Sequence, residues 1–159
     1  MKSRTFRMGV MVATVATIGA VGCATTQPAA MKTEEAIPAR VQLMKEQGAA
    51  MRSINDKLKA GQVQAIVTDA EKLRETAKKI PTLFPKDSVH PQTSRAKPEI
   101  WQKWTDFEGL AKALETQAVK LADTAKTGNA QATDAAAKNL GRQTCGACHE
   151  TFRGPEIKK

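Results

Sequence analysis

The sequence has few aromatic residues and no tyrosine. Phe and Trp make up 4% of its 159 residues, and no basic run is interleaved with rings. The stacking platform of single-strand nucleic-acid binders is therefore missing, and the sequence predicts no nucleic-acid partner. The net charge of +9 comes from scattered lysines, which are typical of a solvated helical face and could favour acidic partners.

The sequence also lacks the alternating apolar pattern of a β-strand after Met31. Apolar residues recur instead at spacings of three and four in four segments, which predicts four helices. The inner face of the first comprises Val41, Met44, Met51, Ile54 and Leu58; the others run from Val63 to Ile80, Ile100 to Leu121 and Thr133 to Phe152. Short turns at Gly61 and Gly128 make each pair antiparallel neighbours. The predicted fold is an all-α, antiparallel four-helix bundle.

One long connection interrupts this pattern. Residues 81–97 read PTLFPKDSVHPQTSRAK, with three prolines and little periodicity. Such loops are often functional or packed over a core, and we expect one of these here.

No apolar run is long enough to span a bilayer comfortably. The run from Met8 to Gly22 follows a basic start and is shorter than the roughly 20 residues of a transmembrane helix, as in a signal peptide. Ala20 to Cys23 resembles a bacterial lipobox, in which cleavage leaves Cys23 as a lipid-modified N-terminus. The alternative is ordinary cleavage after Ala24 or Ala30. We predict a signal peptide at 1–22, a tether at 23–32, a domain at 33–159 and a periplasmic, membrane-anchored lipoprotein.

Cysteine and histidine are scarce as well. Beyond Cys23, the cysteines are Cys145 and Cys148, and His149 follows the second. A structural zinc site normally needs four ligands, and a thioredoxin-like dithiol should open a helix after a strand. Cys-x-x-Cys-His on a helix places all three side chains on one side, which suits covalent haem with histidine on the iron. The sequence predicts one covalent haem c.

Several stretches of the sequence together resemble a known family. The stretch CGACHETFR at 145–153, on the last helix, is similar to the class II c-type cytochromes, the cytochrome c′ group. LMKEQGAAM at 43–51, IPTLFPKDSV at 80–89 and KPEIW at 97–101 look like the low-spin cytochrome c-556 branch. The resemblance implies a four-helix bundle that binds haem on its C-terminal helix.

Carried over to this sequence, the resemblance implies roles for five residues. Cys145 and Cys148 are the thioether anchors, His149 is the proximal iron ligand, Met44 is the distal ligand, and Arg153 is the basic residue near the proximal histidine. The residues themselves also place Met44 on an inner face, with Gly48 one turn later leaving space for a porphyrin.

Alternatives to Met44 stay open. Met51 lies two turns along the same face and is a rival ligand, or Met44 is core filler. His90, in the proline-containing loop, is expected at the surface rather than on the iron.

Two filled axial positions favour one-electron transfer over catalysis or gas binding. We therefore expect an exported electron carrier between periplasmic redox proteins, and no enzyme. The alternative is a high-spin cytochrome c′-like protein that binds nitric oxide. A homodimer and a membrane tether through Cys23 are further expectations.

Overall fold

The regular elements of the described chain are helices. The computed structural model describes residues 31–157. Its elements are α1 (Thr33–Lys59), a 3₁₀ turn (Val63–Ala65), α2 (Ile66–Lys79), a second 3₁₀ turn (Pro81–Leu83), α3 (Glu99–Gln102), α4 (Trp104–Lys126), α5 (Ala130–Leu140), a π-helical turn (Gly141–Gly146) and α6 (Ala147–Phe152). Within residues 31–157 the only β-type pairing is an isolated antiparallel bridge between Ala96 and Arg153. The predicted all-α four-helix bundle is confirmed, with α5, the π-helical turn and α6 as its fourth helix.

Two glycines make the sharp turns between paired helices. Gly61 follows α1 with a φ of 71°, and Gly128 follows α4 with a φ of 74°. This left-handed backbone region is costly for other residues, so glycine at these positions ends each helix. Asn129 then caps α5, since its side chain accepts a hydrogen bond of 2.9 Å from the Ala132 N–H.

The core lies along α2 and α4. These two helices pack most closely; α1 packs on α2, α5 packs on α4, and α1 and α5 touch little. The fully buried large side chains include Ile54, Ile66, Leu73, Leu121 and Leu140. Each contributes about 1.5–3 kcal/mol relative to its exposed state. The predicted inner faces of the second, third and fourth helices are confirmed.

The predicted inner face of α1 is wrong in its first half. Val41 is 37% exposed, and the buried positions that follow Ala36 and Ile37 are Arg40, Leu43, Gln47 and Ala50. Two of these four buried residues are polar, so the apolar pattern predicted a face of α1 that is shifted by about one residue from the face that is buried. Their polar groups have partners: the Gln47 amide donates to Thr76 Oγ1 at 3.2 Å, and Arg40 bonds to the long connection.

The third predicted helix is broken after one turn. Lys103 has φ −121° and ψ 47°, outside the helical region, and it separates α3 from α4. Trp101, in α3, is half-buried and donates its indole N–H to the Pro85 carbonyl at 2.9 Å. The short helix therefore fastens the long connection to the bundle.

Some predictions fall outside these residues. The signal peptide at 1–22, Cys23 and most of the tether at 23–32 lie beyond the described chain and stay predictions. No helix within residues 31–157 combines the length and the apolar character needed to cross a membrane.

Candidate haem-binding site

A cavity of about 540 Å³ lies between α1 and the C-terminal helix. Most of its lining is apolar, and its volume is in the range of small-molecule sites. Its walls come from α1, the long connection with α3, the first half of α4, and the C-terminal helix with the tail after it. A larger hollow of about 890 Å³ is an open surface groove along α4 and α5, and neither cysteine nor histidine lines it.

The C-terminal helix brings Cys145, Cys148 and His149 to this cavity together. An unbroken α-helix through the motif was predicted, and this is wrong. Cys145 lies in the π-helical turn, whereas Cys148 and His149 lie in α6. Thr144 stabilises the turn, because its hydroxyl donates to the Leu140 carbonyl at 2.6 Å. Such a turn adds one residue to the helix, a change that hydrophobic spacing does not show.

The two thiols are half-buried and free. Burial raises the pKa of Cys145; burial and then the neighbouring Cys145 raise the pKa of Cys148 to about 11. Both are therefore protonated at neutral pH, whereas a reactive redox dithiol needs a lowered pKa. Among residues 31–157, no three His, Cys, Asp or Glu side chains are grouped as a metal-ion site. The geometry favours neither the dithiol nor the zinc alternative.

His149 is half-buried beside two cations. Burial, followed by the charges of Arg153 and Arg95, lowers the pKa of its imidazole. The ring is therefore neutral at physiological pH and has a nitrogen lone pair free to bind a metal.

Met44 lines the same cavity from α1, together with Gly48. Met51 does not line it; its terminal methyl lies 3.8 Å from where a Cβ on Gly141 would stand, so it packs on the π-helical turn. A Cβ on Gly48 would meet the Arg52 guanidinium at 3.5 Å, an ordinary contact. The structure thus groups Met44, and not Met51, with the cysteines and His149.

His90 is exposed and does not line the cavity. Its Nδ1 lies 2.9 Å from the Thr93 hydroxyl, in the long connection. This is the surface position that the sequence predicts.

Arg40 is a site residue that the sequence did not indicate. It lines the cavity and is 3% exposed. Its guanidinium donates to the Ser88 hydroxyl at 2.8 Å, the Ser88 carbonyl at 2.6 Å and the Ser94 hydroxyl at 2.6 Å, and it lies 4.7 Å from the Phe84 ring centre. Burial lowers the pKa of Arg40 to about 10, so it stays cationic at neutral pH. The only sequence signal was a charge on the buried side of α1, four residues before Met44.

The long connection is fastened to the C-terminal helix as well as to α1. The Arg95 side chain donates through Nε to the Gly154 carbonyl at 2.9 Å. The Arg95 backbone carbonyl accepts from the Gly154 N–H at 2.7 Å. The Lys97 N–H donates to the Phe152 carbonyl at 3.1 Å. We call residues 84–97 the strap. It packs over the core as predicted and forms one wall of the cavity.

These walls fit haem c. Phe107 contacts Phe84 and Phe152, with ring centres 4.8 Å and 5.5 Å apart, and all three rings line the cavity. An apolar macrocycle suits such walls, two vinyl groups suit two thiols, and the carboxylates of haem suit a buried cation. A neutral imidazole and a thioether complete the donor set.

Comparison with known proteins agrees with this geometry. The family model described as cytochrome c′ matches residues 35–153. Cytochrome c-556 of Agrobacterium tumefaciens is 32% identical over 114 residues, which cover 70% of this chain and 90% of the relative. Cytochrome c-554 of Cereibacter sphaeroides is 40% identical over 75 residues, 46% of this chain and 48% of the relative, so this match spans about half of each protein.

Solved structures agree too. A cytochrome c′ described as having a ligand-controlled dimer dissociation is 27% identical, with a TM-score of 0.71 over 79% of this chain and 98% of its own. From the family model, the relatives and the fold together, the chain belongs to the cytochrome c′ family of class II c-type cytochromes and is a c-type haem protein.

Proposed function

We propose that this protein is an exported electron carrier that passes single electrons between periplasmic redox proteins. In this proposal Cys145 and Cys148 would hold haem c through thioether bonds, and His149 and Met44 would bind its iron. The observation that supports it is that Met44 and His149 line the same cavity, whereas the rival Met51 is not among its lining residues. The haem supplies reversible one-electron chemistry, and methionine–histidine ligation suits electron transfer because both axial positions are filled by protein.

The chain's own residues support this role in three ways. The neutral ring of His149 can bind iron without losing a proton. The rings of Phe84, Phe107 and Phe152 give the cavity apolar walls that suit a porphyrin. The buried guanidinium of Arg40 would stabilise the negative charge of the haem carboxylates. Within residues 31–157, the site brings in no carboxylate that could act as a general acid or base, so the proposal includes no turnover.

The alternative is a gas-binding protein with an open distal position. It is favoured by similar solved structures: one cytochrome c′ is described as having a ligand-controlled dimer dissociation, and another, 25% identical to this chain, is described as a nitrosyl complex. The first description supports a homodimer for this chain. Export, the lipid at Cys23 and the periplasmic location belong to the proposal and rest on the sequence alone.

The deciding measurement is made on the mature protein expressed with a c-type haem maturation system. We expect low-spin ferric and ferrous absorption spectra, a weak ferric methionine-to-iron band, and no rapid binding of carbon monoxide to the reduced protein. A high-spin spectrum with ready carbon monoxide binding would favour the gas-binding alternative.

Replacing Met44 tests the distal ligand. We expect Met44→Ala to keep covalent haem, because the cysteines are intact, but to become high-spin and bind carbon monoxide. Met51→Ala is the matched control and should stay low-spin, since Met51 packs on Gly141 outside the cavity. The reverse pattern would make Met51 the ligand.

A further inference from the structure

The cavity has positive charge without a counter-charge. Arg40, Lys45, Arg95 and Arg153 line it, and no Asp or Glu of the described chain does. Within residues 31–157, none of these four side chains forms an ion pair with a carboxylate. Lysines on the outer surface are often paired, as Lys112 is with Glu115 at 2.6 Å. Within the described residues, no ion pair therefore balances the charge at the cavity.

The haem cannot balance all of it. Haem c has two propionate carboxylates, which neutralise at most two of the four cations. Arg40 is buried and Arg95 is half-buried with its Nε bonded to Gly154, so these two are the inner pair. Lys45 and Arg153 are exposed. Two cations therefore remain at the surface.

Exposed apolar side chains lie beside them. Val41, on α1, and Ile157, in the tail after α6, both line the cavity and are each 37% exposed. Exposing large apolar side chains to water is energetically unfavourable, and protein interfaces combine an apolar centre with a polar rim. We call Val41, Lys45, Arg153 and Ile157 the cationic mouth.

We propose that the cationic mouth is the docking surface for an acidic redox protein. This inference rests on the proposed electron-carrier function, and it names where the partner binds and what charge that partner has. Opposite charge at the mouth steers the encounter and raises the association rate, most strongly at low salt. The small apolar centre suits a partner that binds briefly, because area and affinity at such a contact are both low.

The test uses the haem-loaded protein and plastocyanin as the acidic model partner. The rate of plastocyanin reduction is measured against ionic strength, and binding is measured by NMR with cadmium-substituted plastocyanin, which accepts no electron. We expect Lys45→Glu to lower the rate several-fold at low salt, flatten its salt dependence and weaken binding. Lys120→Glu is the control: Lys120 is exposed on α4, outside the cavity, and the substitution changes net charge equally. Lys120→Glu should change neither the rate of plastocyanin reduction nor the binding by much. Arg153→Gln is a second variant, with its haem spectrum measured in parallel.

Each other outcome has one meaning. Equal losses in Lys45→Glu and Lys120→Glu would show that net charge alone acts, and would overturn the proposal. So would Lys45-dependent binding to phosphatidylglycerol vesicles without binding to plastocyanin, since the mouth would then serve a lipid surface. Binding of cadmium plastocyanin at the mouth without electron transfer to the copper form would support the docking surface and contradict the electron-carrier function.

Discussion

At the scale of the residue, Arg40 connects the site to the fold. It stands on α1 and bonds to Ser88 and Ser94, 48 and 54 residues away. Replacing it with leucine removes three hydrogen bonds and leaves the buried Ser88 hydroxyl without its partner, whereas the Ser94 hydroxyl still accepts from the Ala96 N–H at 3.2 Å. We expect Arg40→Leu to lower the free energy of unfolding of the haem-loaded protein by about 1–3 kcal/mol.

Guanidinium chloride unfolding of that variant is the measurement. Arg52→Leu is a matched control, because Arg52 is on the same helix but exposed, and it should change stability by less than about 0.5 kcal/mol. Equal losses in the two variants would mean that the bonds to the strap contribute nothing.

The same scale shows which site residues the sequence can predict. Cys145, Cys148 and His149 lie within five residues of one another, so their chemistry is local and can be read from the motif. Met44 is remote, and its role was predicted from the family resemblance and its place on an inner face. Arg40 could not be predicted, because its position is stabilised by partners in the strap whose location depends on the fold.

At the scale of the element, helix ends and interiors should respond oppositely to the same change. Gly61 has a φ of 71° after α1, whereas Gly109 lies inside α4, and a Cβ on either would meet no atom within 4 Å. Gly61→Ala should therefore cost about 1–2 kcal/mol of stability through backbone strain alone. Gly109→Ala should stabilise by about 0.5–1 kcal/mol, since alanine loses less backbone entropy in a helix.

Thermal unfolding of both variants measures this. A stabilising Gly61→Ala would show that the turn relaxes out of the left-handed conformation without cost.

Element types were predictable, and their irregularities were not. Apolar spacing identified the four helices because most of their buried positions are apolar. It failed where buried residues are polar, as at Gln47 in α1, and where the backbone departs from a regular helix, as at Lys103 and in the π-helical turn. Those departures depend on packing between elements rather than on local composition.

At the scale of the whole molecule, the cavity is a gap in the bundle that the cofactor fills. We expect the double variant Cys145→Ala/Cys148→Ala to have no covalent haem and a lower unfolding temperature, because partly exposed apolar side chains of the cavity such as Met44 and Leu110 would then face water. Mass spectrometry and a circular dichroism melt measure the two effects. Cys148→Ala keeps one attachment point and is the control. A double variant as stable as the haem-loaded protein would mean that the walls close without the cofactor.

The bundle itself followed from four periodic segments and two short turns, but the position of the cavity did not. It depends on how α1, the C-terminal helix and the strap are placed around it. These are relations between distant parts of the chain, and periodicity within one segment carries no information about them.

The bridge between Ala96 and Arg153 also bears on the order in which the elements fold. The strap precedes the C-terminal helix in the chain, so its hydrogen bonds to Phe152 and Gly154 cannot form until nearly the whole chain has reached the compartment in which it folds. The first two helices and α4 can already pack during that interval, as chains tend to fold from the N-terminal side. We therefore expect the contacts between the strap and the C-terminal helix to be among the last to form.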